Sequence, residues 1–345
     1  MRHGSWQRAG TTGRRVVTTG WLLAAAACGQ ASDGGGPTVP VRPPPVAAPP
    51  ETGSPPPPDL PRAPFVVGAL QADTAGWVEY TPGNAPLVLV APHGGLLTPS
   101  VLPDRNCAGC VTVNDANTQA LARAIADTFA ARTGHRPHLV INRLHRRKFD
   151  GNRDLPEAAG GHVALLRGSW EWMHAAIDSA RADVGRRTGR GLLIDLHGHA
   201  HAVPRLELGY LLSAAQLRET DEGLDAQELV RQSSIARLRS DSRAGVSGAA
   251  LLRGAASLGA LLGARGVPAV PSPAAPAPLV GEDYFTGGYN TLRHGSRTGG
   301  LLDAVQVECH FPGLRDTESN RAAFAAAFTD ALLALLALHY GWRPA

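Results

Sequence analysis

The chain has 345 residues, 43% of them hydrophobic and 18% charged, which is enough apolar material for a sizeable core in one large domain or two ordinary ones. Its formal charge of +4 is a property of one end. Arg2, Arg8, Arg14 and Arg15 fall in residues 1–27, which hold no acid, and 33 basic residues less these four leave 29 against 29 acidic. A basic surface for nucleic acid is therefore not implied, and no nucleic-acid partner is expected.

In chain order, residues 1–15 are basic, and the run from Val16 to Ala27 is apolar or small. Twelve such residues are too few to span a bilayer and match the apolar region of a secretory signal. Arg14-Arg15 hints at twin-arginine export. The ending AAAAC suggests a lipoprotein cleavage site with Cys28 lipidated; the plain alternative is a signal-peptidase site and a soluble secreted protein. Residues 28–64 are dense in proline and nearly free of large apolar side chains, so they read as a semi-stiff tether. The expected organisation is thus a signal peptide (1–27), a tether from a lipid anchor at Cys28 (28–64) and a folded domain (65–345). It would place the domain outside the cytoplasm, in the cell envelope, with a membrane as partner through the anchor. Of the remaining cysteines, Cys107 and Cys110 (NCAGC) have no second pair to complete a zinc cage, and a small loop-closing disulfide is expected. Cys309 lies in an apolar run and reads as a buried thiol.

Within the domain, PLVLVAPHGG predicts a buried strand ending in a loop. Residues 114–132 carry apolar side chains at helical spacing, with Asn114-Asp115 as the N-terminal start. HLVINRLH is a second strand. A helix over 170–186 leads into a third, GLLIDLHG. Residues 227–239 and 251–262 predict helices, AVQVECHF a last strand, and 317–339 a long terminal helix. Strands alternating with helices of this length predict an α/β fold with a mixed, mostly parallel sheet flanked by helices in three layers. In such sheets ligands gather beyond the carboxyl ends of the strands.

The chemistry-bearing residues sit there: His93, then Asp195 and His197, then Glu308. Neutral imidazoles suit zinc, and a catalytic zinc takes three protein ligands and leaves a position open. Spacing alone leaves the third ligand undetermined. The glycines after His93 and His197 are expected to let substrate or backbone approach a metal. Asp195, two residues before His197 on the same strand face, is a candidate partner fixing the imidazole's orientation; capping of a nearby helix is the alternative. The basic stretch NRLHRRKFDGNRD is either a solvated face or an anion grip. Arginine forks match carboxylates, so Arg153 with Asn152, and then Arg146, are the candidates for holding a substrate carboxylate. Arg147 and Lys148 read as surface.

In order along the chain stand Pro92-His93-Gly94-Gly95, Asp115, Phe149-Asp150-Gly151-Asn152-Arg153, Asp195-Leu196-His197, Pro204-Arg205-Leu206, Gly287-Gly288-Tyr289-Asn290-Thr291 with His294-Gly295, and Gln306-Val307-Glu308. From about Leu87 to Leu314 this series resembles the N-formylglutamate amidohydrolase family, zinc-dependent hydrolases related in fold to zinc carboxypeptidases. The resemblance implies a phosphorylase/hydrolase-like fold, one zinc ion per chain on His93, Asp115 and His197, and Glu308 as general base for an attacking water. It also implies that Tyr289, Thr291 or His294 touch substrate. The substrate class would be an N-formyl or N-acyl amino acid, or a similar small carboxylate-bearing amide. Rival readings are a zinc carboxypeptidase-like peptidase on cell-wall or poly-γ-glutamyl material, and a non-catalytic binding lipoprotein. A small arginine-lined pocket favours the amidohydrolase, and an open groove the polymer. The chain departs from the family pattern in three places: the extra histidines His199 and His201, the CAGC loop, and the insertion over 214–280.

Overall fold

The computed structural model describes residues 60, 61 and 64–344. The expected signal peptide, the expected lipidation site at Cys28 and most of the expected tether fall outside these residues.

Eight strands form one sheet: β1 (Gln71–Ala72), β2 (Val78–Thr81), β3 (Leu87–Ala91), β4 (His138–Asn142), β5 (Gly191–His199), β6 (Leu206–Gly209), β7 (Ala269–Val270) and β8 (Leu302–His310), in the order β1-β2-β4-β3-β5-β8-β6-β7. The central strands β4, β3, β5 and β8 are mutually parallel. β2 joins one side and β6 the other in antiparallel sense. The central strands are apolar runs without alternation, such as LVLVA in β3, because both faces are covered. Leu87 and Leu89 point to one core, with Leu121, Ile125 and Phe129 of α1 (Thr118–Thr133) and Phe328 and Leu332 of the last helix. Val88 and Val90 point to the other, with Trp172, Met173 and Ile177 of a 26-residue helix, Val163–Thr188. Those two layers of helix on one sheet are the expected three-layer α/β architecture.

One short helix completes the first half: α2 (Leu155–Ala159) precedes that long helix, α3. The insertion folds into α4 (Ala214–Leu217), α5 (Asp221–Ala226), α6 (Ala236–Asp241), α7 (Gly248–Arg253) and α8 (Leu258–Gly263), followed by α9 (Tyr289–His294) and α10 (Glu318–Leu335). The expected helices at 227–239 and 251–262 are therefore broken. Ser213, Thr220, Ser247 and Ser257 each cap their own helix by accepting a backbone N–H three residues on, so the segment restarts repeatedly. Its leucines, among them Leu217, Leu224, Leu252 and Leu262, are buried in the first core. The insertion enlarges the core. The stretch Glu318–Tyr340 is long and apolar enough to cross a membrane by length and composition alone. In the fold its apolar face packs on α1 and α8.

At the end of β8 remote from Glu308, Asp303 is buried and accepts hydrogen bonds from the Leu238 amide, Ser296 Oγ and Tyr340 Oη. Burial pushes its carboxyl up to about 6 despite those donors. A carboxyl raised in the folded state stabilises the fold below its unfolded value of 3.8 and loses that contribution as pH climbs through about 6. Two units correspond to about 3 kcal/mol. Asp303→Asn should therefore gain stability relative to the parent between pH 4 and pH 7.5. Urea midpoints of both proteins at the two pH values check this; a difference that does not change with pH refutes it.

Candidate metal centre

The register of β5 on β8 sets His197 opposite Glu308 and Asp195 opposite Gln306. β3 ends just before Pro92 and His93, one strand away. Asp115 arrives from the turn before α1. That helix starts at Thr118, three residues later than the Asn114-Asp115 pair predicts, because both side chains are used elsewhere. Asn114 bonds the Gly95 carbonyl and the Arg146 amide, and Asp115 faces the two histidines.

His93 Nδ1, His197 Nδ1 and Asp115 Oδ2 converge, with separations of 3.0, 3.2 and 3.3 Å. Ligands about 2.0–2.1 Å from a tetrahedral zinc lie roughly 3.3 Å from one another, so the donor set fits that ion in kind and spacing. The far nitrogens are braced. His93 Nε2 donates to Asp150 Oδ1 at 2.5 Å, which leaves Nδ1 with its lone pair facing inward. His197 Nε2 lies 3.0 Å from Asp195 Oδ2 as an ion pair, and Asn152 Nδ2 is 3.2 Å away. The other oxygen of Asp195 accepts from Asn290 Nδ2. Asp195 thus stands at the far nitrogen of His197 and Asp150 at that of His93, although the motif around Asp150 gave no hint which of its members would do so.

Charge at the centre is unbalanced. Asp115, Asp150, Asp195, Glu207 and Glu308 are all buried, against the buried guanidiniums of Arg105, Arg146 and Arg315. Burial opposes charge on His197, but the Asp195 carboxylate, the hydrogen bond to Asp115 and nearby Glu308 outweigh it and hold the imidazole well above its usual range. Burial likewise opposes ionisation of Asp115, yet the two histidines hold its carboxyl far below the ordinary value. Both directions show the buried carboxylates and imidazoles stabilising one another's charged forms. Glu308 is the exception. Burial pushes it up to about 8, with His197 pulling it down and Asp115, Glu207 and Asp195 pushing it further up. Its Oε1 accepts from Gln306 Nε2 at 2.9 Å, and its Oε2 has no hydrogen-bond partner.

A cavity of about 110 Å³ lies over this group, lined by His93, Asp115, Arg146, Asn152, Arg153, His197, Gly198, Phe285, Gly287, Gly288, Gln306 and Glu308. Arg146 is committed to Asp150 (3.0 Å) and Asp115 (3.4 Å). Arg153 is freer: its partner Glu157 is half exposed and the arginine itself 31% exposed. Asn152 Oδ1 accepts from the Asn290 amide, and its Nδ2 points to Gln306 Oε1 at 3.5 Å. Tyr289, Thr291 and His294, expected at the substrate, do not line the cavity. Tyr289 packs beside Trp170 and His174, Thr291 Oγ1 caps α9 through Gly288, and His294 bonds His174 and Asp178. Phe285, Gly287 and Gly288 of the same segment take their place. A side chain at Gly288 would collide with Asn152 and Gln306, so glycine lets this wall close on them.

The glycines after the histidines serve protein neighbours. A Cβ on Gly94 would strike Thr118, on Gly95 the Leu144 carbonyl, and on Gly198 the Arg315 guanidinium. His199, His201 and Glu207 form a second group of possible ligands. Here His199 is already engaged at both nitrogens, by the Arg205 carbonyl and the His201 amide, and His201 pairs with Glu207 at 2.8 Å. Cys309 is buried, as expected, and Cys107 and Cys110 form the expected disulfide.

No family model matches the chain, and no curated protein matches it. Among solved structures, an N-formylglutamate amidohydrolase from Ralstonia eutropha JMP134 is similar at 14% identity and TM-score 0.46, over 75% of this chain and 95% of that one. A gene product of Agrobacterium tumefaciens is similar at 16% identity and TM-score 0.43, over 75% and 94%.

Proposed function

We propose that the chain is a metal-dependent hydrolase that cleaves the C–N bond of an N-formyl or N-acyl amino acid, or a similar small carboxylate-bearing amide, with one zinc ion on His93, Asp115 and His197. The observation that carries the reading is the convergence of three donor atoms, two of them on imidazoles braced by buried carboxylates, beside a glutamate with an unpartnered oxygen. A metal held there supplies a Lewis acid that polarises a carbonyl and acidifies water. Glu308 takes the proton of the attacking water on Oε2 and delivers it to the departing nitrogen, so that it leaves as an amine. Asp150 and Asp195 keep the two imidazoles in orientation, and Asn152 lines the cavity beside them. Arg146 neutralises Asp115 and Asp150. Arg153 is left to grip the substrate carboxylate by exchanging its exposed partner Glu157. The small, arginine-lined cavity supports this substrate class over a polymer, which needs an open groove.

On this reading the domain works outside the cytoplasm on the lipid anchor at Cys28. The test is hydrolysis of a panel of N-formyl and N-acyl amino acids against the matching amides without a carboxylate. Arg153→Met should raise KM for the carboxylate-bearing members by roughly ten- to a hundredfold, as expected for loss of a charge-assisted contact, with little change in kcat. No turnover on any amide, by a protein loaded with zinc, refutes the reading.

A further inference from the structure

The CAGC loop has no part in the chemistry above, yet it delivers a buried cation to the back of the metal centre. Arg105 is 6% exposed. Its Nε and Nη2 donate to the Glu157 carbonyl at 3.2 and 2.9 Å, and its Nη1 donates to the carbonyls of Val111 (2.9 Å) and Arg146 (3.3 Å). The same Nη1 lies 3.6 Å from Asp150 Oδ2. Asp150 is thus held from two sides: Oδ1 faces His93 Nε2, while Oδ2 faces the guanidiniums of Arg146 and Arg105. A carboxylate fixed this way has one orientation in which to accept the imidazole N–H, and that orientation decides where His93 Nδ1 points. Gly160 adopts φ +53° against the Arg105 side chain, where any Cβ would collide with it.

The disulfide completes the arrangement. Cys107–Cys110 closes the turn between Arg105 and its acceptor Val111, with the Cys110 amide bonded to the Cys107 carbonyl. The Cys107 sulfur lies 3.9 Å from Arg105 Nη2. We propose that Arg105 is a positioning residue for the metal centre, acting through Asp150 on His93, and that the Cys107–Cys110 bridge holds it in place. Reduction by a dithiol, which passes two electrons and two protons to the bridge and becomes a disulfide itself, then weakens metal binding. This rests on the metal reading above.

The experiment measures zinc affinity of the full chain by chelator competition, for the parent, Arg105→Met, Arg105→Lys and Cys107→Ser/Cys110→Ser. The last stands for the reduced state without thiols competing for zinc. Arg105→Met should weaken zinc binding by roughly 10–100-fold, the range seen when a residue behind a ligand is lost. Arg105→Lys keeps a cation beside Asp150 and should recover most of that loss, which a mere loop-capping role would not. The cysteine variant should weaken binding in the parent but add little to Arg105→Met, since both act through one contact. Unchanged affinity in Arg105→Met, equal loss in the Met and Lys variants, or full additivity with the cysteine variant each overturns the proposal. Long-range 1H–15N spectra of the metal-free protein give a separate reading: Arg105→Met should lose the fixed Nε2–H tautomer of His93. If the parent itself binds no zinc, the metal reading fails, and an unchanged His93 spectrum then refutes the role of Arg105 as well.

Discussion

Glu308→Gln should retain its zinc and lose turnover by about 10²–10⁴-fold, the usual worth of a positioned general base. The substitution is nearly isosteric. Glutamine can keep its carbonyl oxygen toward Gln306 Nε2, so the hydrogen bond that orients Glu308 survives. What is lost is the one unpartnered oxygen at the cavity wall. The loss should fall on kcat, because the residue touches the water and the departing nitrogen and leaves the carboxylate grip alone. The pH profile gives a second signature. A base must be unprotonated, so activity rises with pH as Glu308 ionises. Burial pushes that carboxyl to about 8, and a dication at the histidines pulls it lower. Glu308→Gln should flatten this acid limb. Metal content and kcat are measured on the same preparation. Full zinc with activity within about threefold of the parent would remove Glu308 from the mechanism.

Much of this centre is legible in the sequence because strands are local and their ends are marked. LVLVAPHGG, GLLIDLHG and VQVECH each show an apolar run that stops at a polar residue, and parallel pairing of β3, β5 and β8 brings those stops to one edge. Asp115 was less visible. Its polarity at the start of a helical pattern reads as capping; the family resemblance alone names it as a ligand, and the fold brings its oxygen to the histidines. Asp150 and Arg105 illustrate what spacing does not encode. Asp150 reaches His93 across 57 residues, and Arg105 reaches Asp150 from a loop that looks like an ornament. Neither carries a local period or a motif that states its partner. Tyr289, Thr291 and His294 show the reverse. A Gly-rich segment tells that the backbone comes close to something, and here the closeness belongs to Phe285, Gly287 and Gly288, while the helix that follows turns its hydroxyl and imidazole inward to the scaffold. The broken helices of the insertion have a similar cause. Apolar spacing predicts their length, but Ser257, which caps α8, interrupts the second, and left-handed Glu228 with extended Ser233 interrupts the first.

His93→Ala/His197→Ala should abolish stoichiometric metal binding and with it all turnover. Each alanine removes an inward-facing nitrogen and orphans a buried carboxylate, Asp150 in one case and Asp195 in the other. Orphaned buried charge is costly, so the double variant alone cannot separate loss of metal from loss of fold. Asp115→Asn makes that separation. The amide keeps the shape and can still take the Gly198 N–H on its oxygen, but it removes the charge that both histidines face. In the metal-free state it should fold as the parent does, while binding zinc far more weakly. Thermal unfolding with and without added zinc reads this out by mass action. A ligand at a thousandfold excess over its Kd adds about 4 kcal/mol to the fold. The parent should gain that increment, Asp115→Asn should gain little, and the double variant none. Equal gains in all three would place the metal elsewhere, with the group of His199, His201 and Glu207 as the next to be replaced. Cobalt or nickel giving the same pattern would leave the site standing and change only the name of its ion, since two imidazoles and a carboxylate accept any of the three.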